Sequence, residues 1–295
     1  MAIIGIDIGG THFRIGLVDS DGSVSDFQKI PVKQVFSTEN AMGDLSAYLK
    51  DYCQGKPVEA ISIGFPATLD TTRKRVLQAP NVPGMENLPV VDLLSRELGV
   101  PVVIERDVTM ALFYDCRALG IARQGIICGF YFGTGVGNAI CVGGRPLVGR
   151  HGTAGELGHI PVDGNEIPCG CGNEGCIETL AGGKYLAKLR DARYPDTPIG
   201  DLFVKHGDAP ELRQFVDRMA MAVATEINIL DPDRVLIGGG VPAMAEFPKS
   251  LLLERIYHRA RKPYPAEDLQ MEFVSDREEK AVIGAALYAM EQIGK

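Results

Sequence analysis

Residues 150–178 read RHGTAGELGHIPVDGNEIPCGCGNEGCIE and place one histidine, His159, ahead of three closely set cysteines, Cys169, Cys171 and Cys176. A divalent zinc ion is held by four nitrogen or sulfur ligands in a tetrahedron, and a Cys3His set supplies all four. Gly170, Gly172 and Gly175 let the backbone between the cysteines turn tightly enough to aim three thiolates at one point. Structural cysteines are usually buried singly in apolar strands. Cys169 and Cys171 are too close in sequence to pair easily as a disulfide, and nothing else suggests an oxidising compartment. The segment reads as a zinc loop. Glu156 and Glu178 bracket the cluster, so whatever orders the loop also orders two carboxylates.

A second kind of chemistry is written in glycines. Asp7 closes a short apolar run at 2–8; Gly9, Gly10 and Thr11 follow, then a second apolar run at 13–18. Two such runs around a glycine turn predict a β-hairpin. Amides freed at Gly9 and Gly10, with the Thr11 hydroxyl, could cradle a phosphate. Asp7 could hold the accompanying Mg2+. A plain hairpin turn is the alternative. The construction recurs with a strand at 125–132, a turn through Gly133, Thr134, Gly135, Val136 and Gly137, and a returning strand at 138–142. No GxxxxGK[ST] occurs, and each glycine turn leads into a strand rather than a helix, which excludes both a Walker loop and a Rossmann fingerprint. Two units about 125 residues apart predict a duplicated architecture with one phosphate loop per lobe and a nucleotide held between the lobes.

Elements that alternate strand and helix must position these turns. Between the copies the pattern predicts helices at 45–53, 91–98 and 107–119 and strands at 58–65 and 102–105. Asp107 therefore falls where a strand gives way to a helix, the end of an open α/β sheet at which ligands bind. An aspartate there suits catalysis, and it equally suits a helix N-cap. Apolar residues at 212, 215, 216, 219, 223, 227 and 230 predict the longest helix. A strand at 234–237 then leads to Gly238, Gly239 and Gly240, which permit close backbone approach to a flat or anionic ligand. A strand at 271–274 and a helix at 279–293 complete the chain.

Composition sets the outer limits. A chain of 295 residues with 45% hydrophobic content can bury a large core and is long enough for two domains. A formal net charge of −8 argues against nucleic acid or an anionic membrane as partner. The first ten residues lack the basic region of a signal peptide, and no apolar run approaches the ~20 residues that span a bilayer. Cys53, Cys116, Cys128 and Cys141 read as reduced thiols. A soluble, cytoplasmic protein is expected.

The motifs DIGGT (7–11), GTGVG (133–137), AGELGHI (154–160), CGCGNEGCIE (169–178) and GGG (238–240) together resemble the ROK family of sugar kinases and sugar-responsive repressors, over essentially the whole chain. FPA (65–67), APNVPG (79–84), ERDVT (105–109) and GRHG (149–152) look most like its D-allose kinase branch. The resemblance implies an α/β, two-lobed actin-like ATPase (ribonuclease H-like) fold: duplicated domains with a cleft between them. Residues 1–117 plus about 277–295 would form the N-terminal lobe, and 118–276 the C-terminal lobe. It implies ATP-dependent phosphorylation of a hexose, usually at the 6-hydroxyl, with ATP, Mg2+ and structural Zn2+ bound and a homodimer or homotetramer formed.

Residue by residue, the likeness makes Asp107 the base that accepts the sugar hydroxyl's proton. Asp7, Gly9, Gly10, Thr11, His12, Gly133, Thr134, Gly135, Gly137, Gly239 and Gly240 would hold ATP and Mg2+. Asn81, Arg106, Asp107, Glu156, His159 and Glu178 would line the sugar. His159 would bind zinc through one ring nitrogen and sugar through the other, with Cys169, Cys171 and Cys176 as the remaining ligands. The family's repressors carry a helix-turn-helix ahead of the DxGGT strand; here that strand begins at Ala2, which favours a kinase. Most kinases resembling this chain read E-N-D-x-N-A around the aspartate, whereas it reads Glu105-Arg106-Asp107-Val108-Thr109-Met110. Arginine only donates where asparagine donates and accepts. D-allose, the C3 epimer of glucose, is therefore the expected sugar. Glucose, N-acetylmannosamine, N-acetylglucosamine or fructose are the alternatives.

Overall fold

The computed structural model describes residues 2–294. Its chain separates into two compact units, one made of Met1–Ala122, Val148–Ala154 and Arg277–Lys295, the other of Arg123–Leu147 and Gly155–Asp276. These units differ from the expected division in two respects. The first crossing comes after Ala122 rather than residue 117. The second unit is also interrupted, because residues 148–154 pack with the first unit, where Arg73 donates to the Gly152 carbonyl (3.2 Å) and Arg106 to the Ala154 carbonyl (2.6 Å).

In the first unit the strands are β1 (Ile3–Ile8), β2 (His12–Val18), β3 (Val24–Pro31), β4 (Ala60–Phe65), β5 (Thr68–Leu69), β6 (Val76–Gln78) and β7 (Val102–Arg106). Five of them form a sheet in the order β3-β2-β1-β4-β7, while β5 and β6 pair as a separate ribbon. The β1–β2 and β2–β3 pairs are antiparallel, and β4 and β7 run parallel to β1. β1 and β4 are buried along their whole length, as apolar runs covered on both faces must be. β3 has no apolar periodicity because it is an edge strand with a mostly exposed, polar surface. No sequence pattern announced it. The helix Lys280–Ile293 packs on this unit beside the helix Asp107–Ala118, with Phe113 and Tyr288 in an edge contact at 5.5 Å and a buried Lys280–Asp115 ion pair at 3.1 Å.

The second unit repeats the plan. Its strands are β8 (Ile126–Phe132), β9 (Val136–Val142), β10 (Arg145–Pro146), β11 (Arg234–Gly238) and β12 (Met271–Phe273), in the order β10-β9-β8-β11-β12. β8–β9 and β9–β10 are antiparallel, and β11 and β12 run parallel to β8. Strand for strand, the order and sense match the first unit. The helix Pro210–Leu230 buries Leu212, Phe215, Val216, Met219, Val223 and Ile227 in one core with Phe130 and Phe132 of β8. Asp231 ends that helix in the left-handed conformation at φ 47°. Among the described residues no helix is long and apolar enough to cross a membrane.

Candidate functional site

The parallel strands β1, β4 and β7 all end on one edge of the first sheet, where the Gly9–Thr11 turn, Asp7, Asn81 and Asp107 gather. The turn from Gly9 to Thr11 joins β1 to β2 and is closed by the Gly9 amide donating to the His12 carbonyl at 2.9 Å. The amides of Gly10 and Thr11 have no acceptor among the described residues, and both residues are exposed. Successive unpaired N–H groups of this kind form an anion-binding concavity. Asn81, also exposed, lies beside the turn, its side-chain carbonyl oxygen 3.7 Å from where a Cβ on Gly10 would stand.

Asp7 is buried, and its carboxylate accepts from Arg14 at 2.8 Å. Burial, the largest influence, pushes the Asp7 carboxyl above the ordinary carboxylate range, and the Arg14 guanidinium opposes that shift. Arg14 escaped sequence reading, although the hairpin register contains it. A turn centred on Gly9–Thr11 sets residue 7 opposite residue 14. With one carboxylate oxygen on Arg14, the other has no protein partner among the described residues, and Mg2+ is typically held by one or two carboxylates plus phosphates and water. The residue set fits that ion.

Asp107 is the first residue of its helix, directly after β7, and is half-buried. The N-cap position belongs to Arg106, and the Asp107 carboxylate accepts from the next amide, Val108, at 2.8 Å. Just behind it, Glu105 is 1% exposed. Its carboxylate takes Arg73 Nε at 3.0 Å, the Arg106 amide at 2.8 Å and the Tyr288 hydroxyl at 3.3 Å. Glu105 therefore fastens the strand end that carries Asp107. Arg106, expected on the sugar, donates from its guanidinium to the Ala154 carbonyl at 2.6 Å.

The second unit places its glycine turn in the equivalent position, between β8 and β9. Gly183 and Lys184, at the start of the helix Gly183–Arg193, donate to the carbonyls of Gly133 and Thr134 at 2.8 and 2.9 Å. With its carbonyls drawn to the helix, the turn leaves the amides of Thr134 and Gly135 without an acceptor among the described residues. Glu178 supports the turn from the side, accepting the Val136 amide at 2.9 Å. A Cβ on Gly135 would lie 2.1 Å from that carboxylate, so any larger residue would push Glu178 off the Val136 amide. Gly137 lies within β9, while Gly239 and Gly240 follow β11 on the same edge as the turn.

The four expected metal ligands do converge. The ligand atoms of His159, Cys169, Cys171 and Cys176 lie within 4.8 Å of one another. Cys171 Sγ stands 3.6 Å from Cys176 Sγ, and His159 Nδ1 stands 3.6 Å from Cys169 Sγ. All three cysteines are free, and a tetrahedral zinc with bonds of about 2.3 Å would separate its sulfurs by about 3.8 Å. The donor set and its spacing fit zinc. Gly172 and Gly175 take the left-handed turns that close the loop, at φ 96° and 80°, whereas Gly170 does not. The Asn173 backbone amide lowers the Cys171 thiol, while burial first, and its thiol neighbours after it, push Cys176 up to about 12. The other ring nitrogen, His159 Nε2, faces Glu156 at 3.6 Å. Two residues beyond Cys176 comes Glu178, so the metal loop runs directly into the support of the glycine turn.

A pair of sheets of identical order, each with a glycine turn after its first strand, defines the duplicated α/β fold of the actin-like ATPases. Within that class the chain belongs to the ROK family, whose family model matches residues 3–292. It is 28% identical to a glucokinase of Thermotoga maritima, over 100% of this chain and 99% of that protein. It is also 28% identical to an N-acetylmannosamine kinase of Shigella flexneri, over 98% of both. Among solved structures it resembles a ROK family glucokinase from Streptomyces griseus in complex with glucose and AMPPNP, with a TM-score of 0.77 and 28% identity over 97% of this chain and 98% of that one.

Proposed function

We propose that this chain is an ATP-dependent hexose kinase acting on the 6-hydroxyl of glucose or an N-acetylhexosamine, the sugars its relatives are named for. The observation that carries the reading is the pair of glycine turns with open amides, at Gly10–Thr11 and at Thr134–Gly135, together with an aspartate at the carboxyl end of a parallel strand. Relatives named as kinases favour it over a sugar-sensing repressor of the same family.

The roles follow from chemistry. A sugar hydroxyl is a weak nucleophile, so Asp107 takes its proton as the oxygen bonds to the γ-phosphorus. Phosphoryl transfer otherwise needs alignment and charge neutralisation. Gly9, Gly10, Thr11 and His12 in the first unit, and Gly133, Thr134, Gly135 and Gly137 in the second, hold the phosphates, with Gly239 and Gly240 beside the adenine. Mg2+, when bound at Asp7, neutralises phosphate charge. Asn81, Glu156, His159 and Glu178 hydrogen-bond the sugar. Zinc on His159, Cys169, Cys171 and Cys176 orders the loop that carries these acids and takes no part in the transfer.

Metal analysis of the purified protein is expected to find about one zinc per chain. Cys171→Ser is expected to lose it and to raise the sugar KM strongly, because Glu156 and Glu178 lose their frame. Undiminished zinc in the variant would refute this ligand set.

D-allose is a second reading, favoured by one observation. Arg106 and Thr109 stand where asparagines are usual, and Arg106 can only donate. A coupled ADP-release assay over glucose, N-acetylglucosamine, N-acetylmannosamine, fructose and allose tests both readings. ADP release stimulated by none of these sugars sinks the kinase. Allose exceeding glucose at least about tenfold in kcat/KM selects the second reading, and glucose or an N-acetylhexosamine ahead selects the first.

A further inference from the structure

The two units are duplicates in strand order, so a feature present beside one glycine turn and missing from the other is informative. The residues flanking the turns correspond through their registers: Ile8 faces Phe13 in the first unit, and Phe132 faces Val136 in the second. One step further from the turn, the first unit sets Asp7 opposite Arg14, whereas the second sets Tyr131 opposite Gly137. The second hairpin thus closes without an ion pair at this position, so such a turn does not require one.

Its geometry suggests what. Asp7 lies at the buried floor, with its side chain 11% exposed, while the Arg14 side chain is 25% exposed and stands above it. One guanidinium nitrogen, Nη1, donates to Asp7, and this side chain makes no other hydrogen bond among the described residues. The same nitrogen is 3.8 Å from the place a Cβ on Gly9 would take, so the guanidinium borders the turn whose Gly10 and Thr11 amides are open. His12 shares the strand face of Arg14, two residues along β2. A planar fork of donors beside two unpaired amides is a binding arrangement for phosphate oxygens.

We propose that Arg14 is a phosphate-binding residue of the first glycine turn, held on Asp7 until nucleotide and Mg2+ arrive. This rests on the reading of the chain as an ATP-dependent kinase. Mg2+ on the free Asp7 oxygen draws charge from the carboxylate and weakens its hold on Arg14. As Mg2+ takes the carboxylate, the guanidinium is released toward the phosphate that enters with the metal, and each charge keeps a partner throughout. Arg14 is then a binding and positioning residue, and Asp107 remains the only base.

Calorimetric titration of ADP into the wild type, Arg14→Gln and Arg14→Lys, each with and without Mg2+, tests the proposal without depending on turnover. With Mg2+ present, the dissociation constant of Arg14→Gln is expected to rise about 10- to 100-fold, the range for losing hydrogen bonds to a charged group. Arg14→Lys, which keeps the charge but not the fork, is expected in between. Without Mg2+ the gap between wild type and Arg14→Gln is expected to shrink, because Asp7 then keeps the guanidinium. Sugar affinity is expected to be unchanged in all three. ADP binding within about twofold of wild type in both variants, whatever their melting temperatures, overturns the proposal and leaves the kinase reading standing. Wild-type protein that binds no ADP under any of these conditions overturns the kinase reading and this proposal with it.

Discussion

Asp107→Asn is expected to lower kcat by about 10²–10⁴-fold, the contribution a positioned general base makes, with melting temperature and sugar affinity close to wild type. The substitution keeps the shape of the side chain and removes only its basicity. The Val108 amide still finds an oxygen to donate to, so the first turn of the helix is preserved. The helix itself is held elsewhere, by Met110 and Phe113 in the core and by the buried Asp115–Lys280 pair. Loss of turnover together with loss of folding would therefore not match this site. Activity within about tenfold of wild type would remove Asp107 from the role of base and leave the phosphate turns in search of another.

The largest effect on stability is expected at Arg73. Its side chain is 11% exposed and meets Glu105, 1% exposed, at 3.0 Å. It also donates to the carbonyls of Asp70 and Gly152 at 3.2 Å each. Removing one partner of a buried ion pair leaves an uncompensated charge in a low-dielectric interior, which costs about 3–5 kcal/mol. Arg73→Met is expected to lose stability in that range by denaturant unfolding. Adding Glu105→Gln should recover at least about half of it, since the amide oxygen still accepts the Arg106 N–H and the amide NH2 can donate to the Tyr288 hydroxyl oxygen, without the charge. A double variant no more stable than Arg73→Met would show that the loss comes from packing or from the Gly152 contact. The single variant should also lower kcat, because Glu105 sits two residues before Asp107 on the strand that presents it.

Both expectations show where sequence reading reaches and where it stops. The glycine turns, the long helix Pro210–Leu230, the placement of Asp107 at a strand end and the Cys3His spacing were all legible, because each depends on residues close together in the chain. Turn residues, apolar periodicity and ligand spacing act over a few positions, and a local pattern carries them intact. Even the Asp7–Arg14 pair was within reach, seven residues apart across a hairpin of known turn.

Other features were decided only by packing. Arg73 meets Glu105 across 32 residues and Gly152 across 79, and nothing in the stretch TTRKRV distinguishes that arginine from its charged neighbours. What selects it is its own turn. Asp70 accepts the amides of Lys74 and Arg75, and Arg73 is left in the left-handed conformation at φ 55° with its side chain turned inward. The excursion of residues 148–154 into the first unit depends on those same long-range bonds, so a boundary drawn from family resemblance passed over it. β3 went unseen because an edge strand needs no apolar face. Arg106 divides the two cases. Its substitution for a usual asparagine is plain in the sequence, but its anchor on the Ala154 carbonyl, 48 residues on, belongs to the tertiary structure, where a guanidinium bonds to whichever acceptor the fold brings within reach.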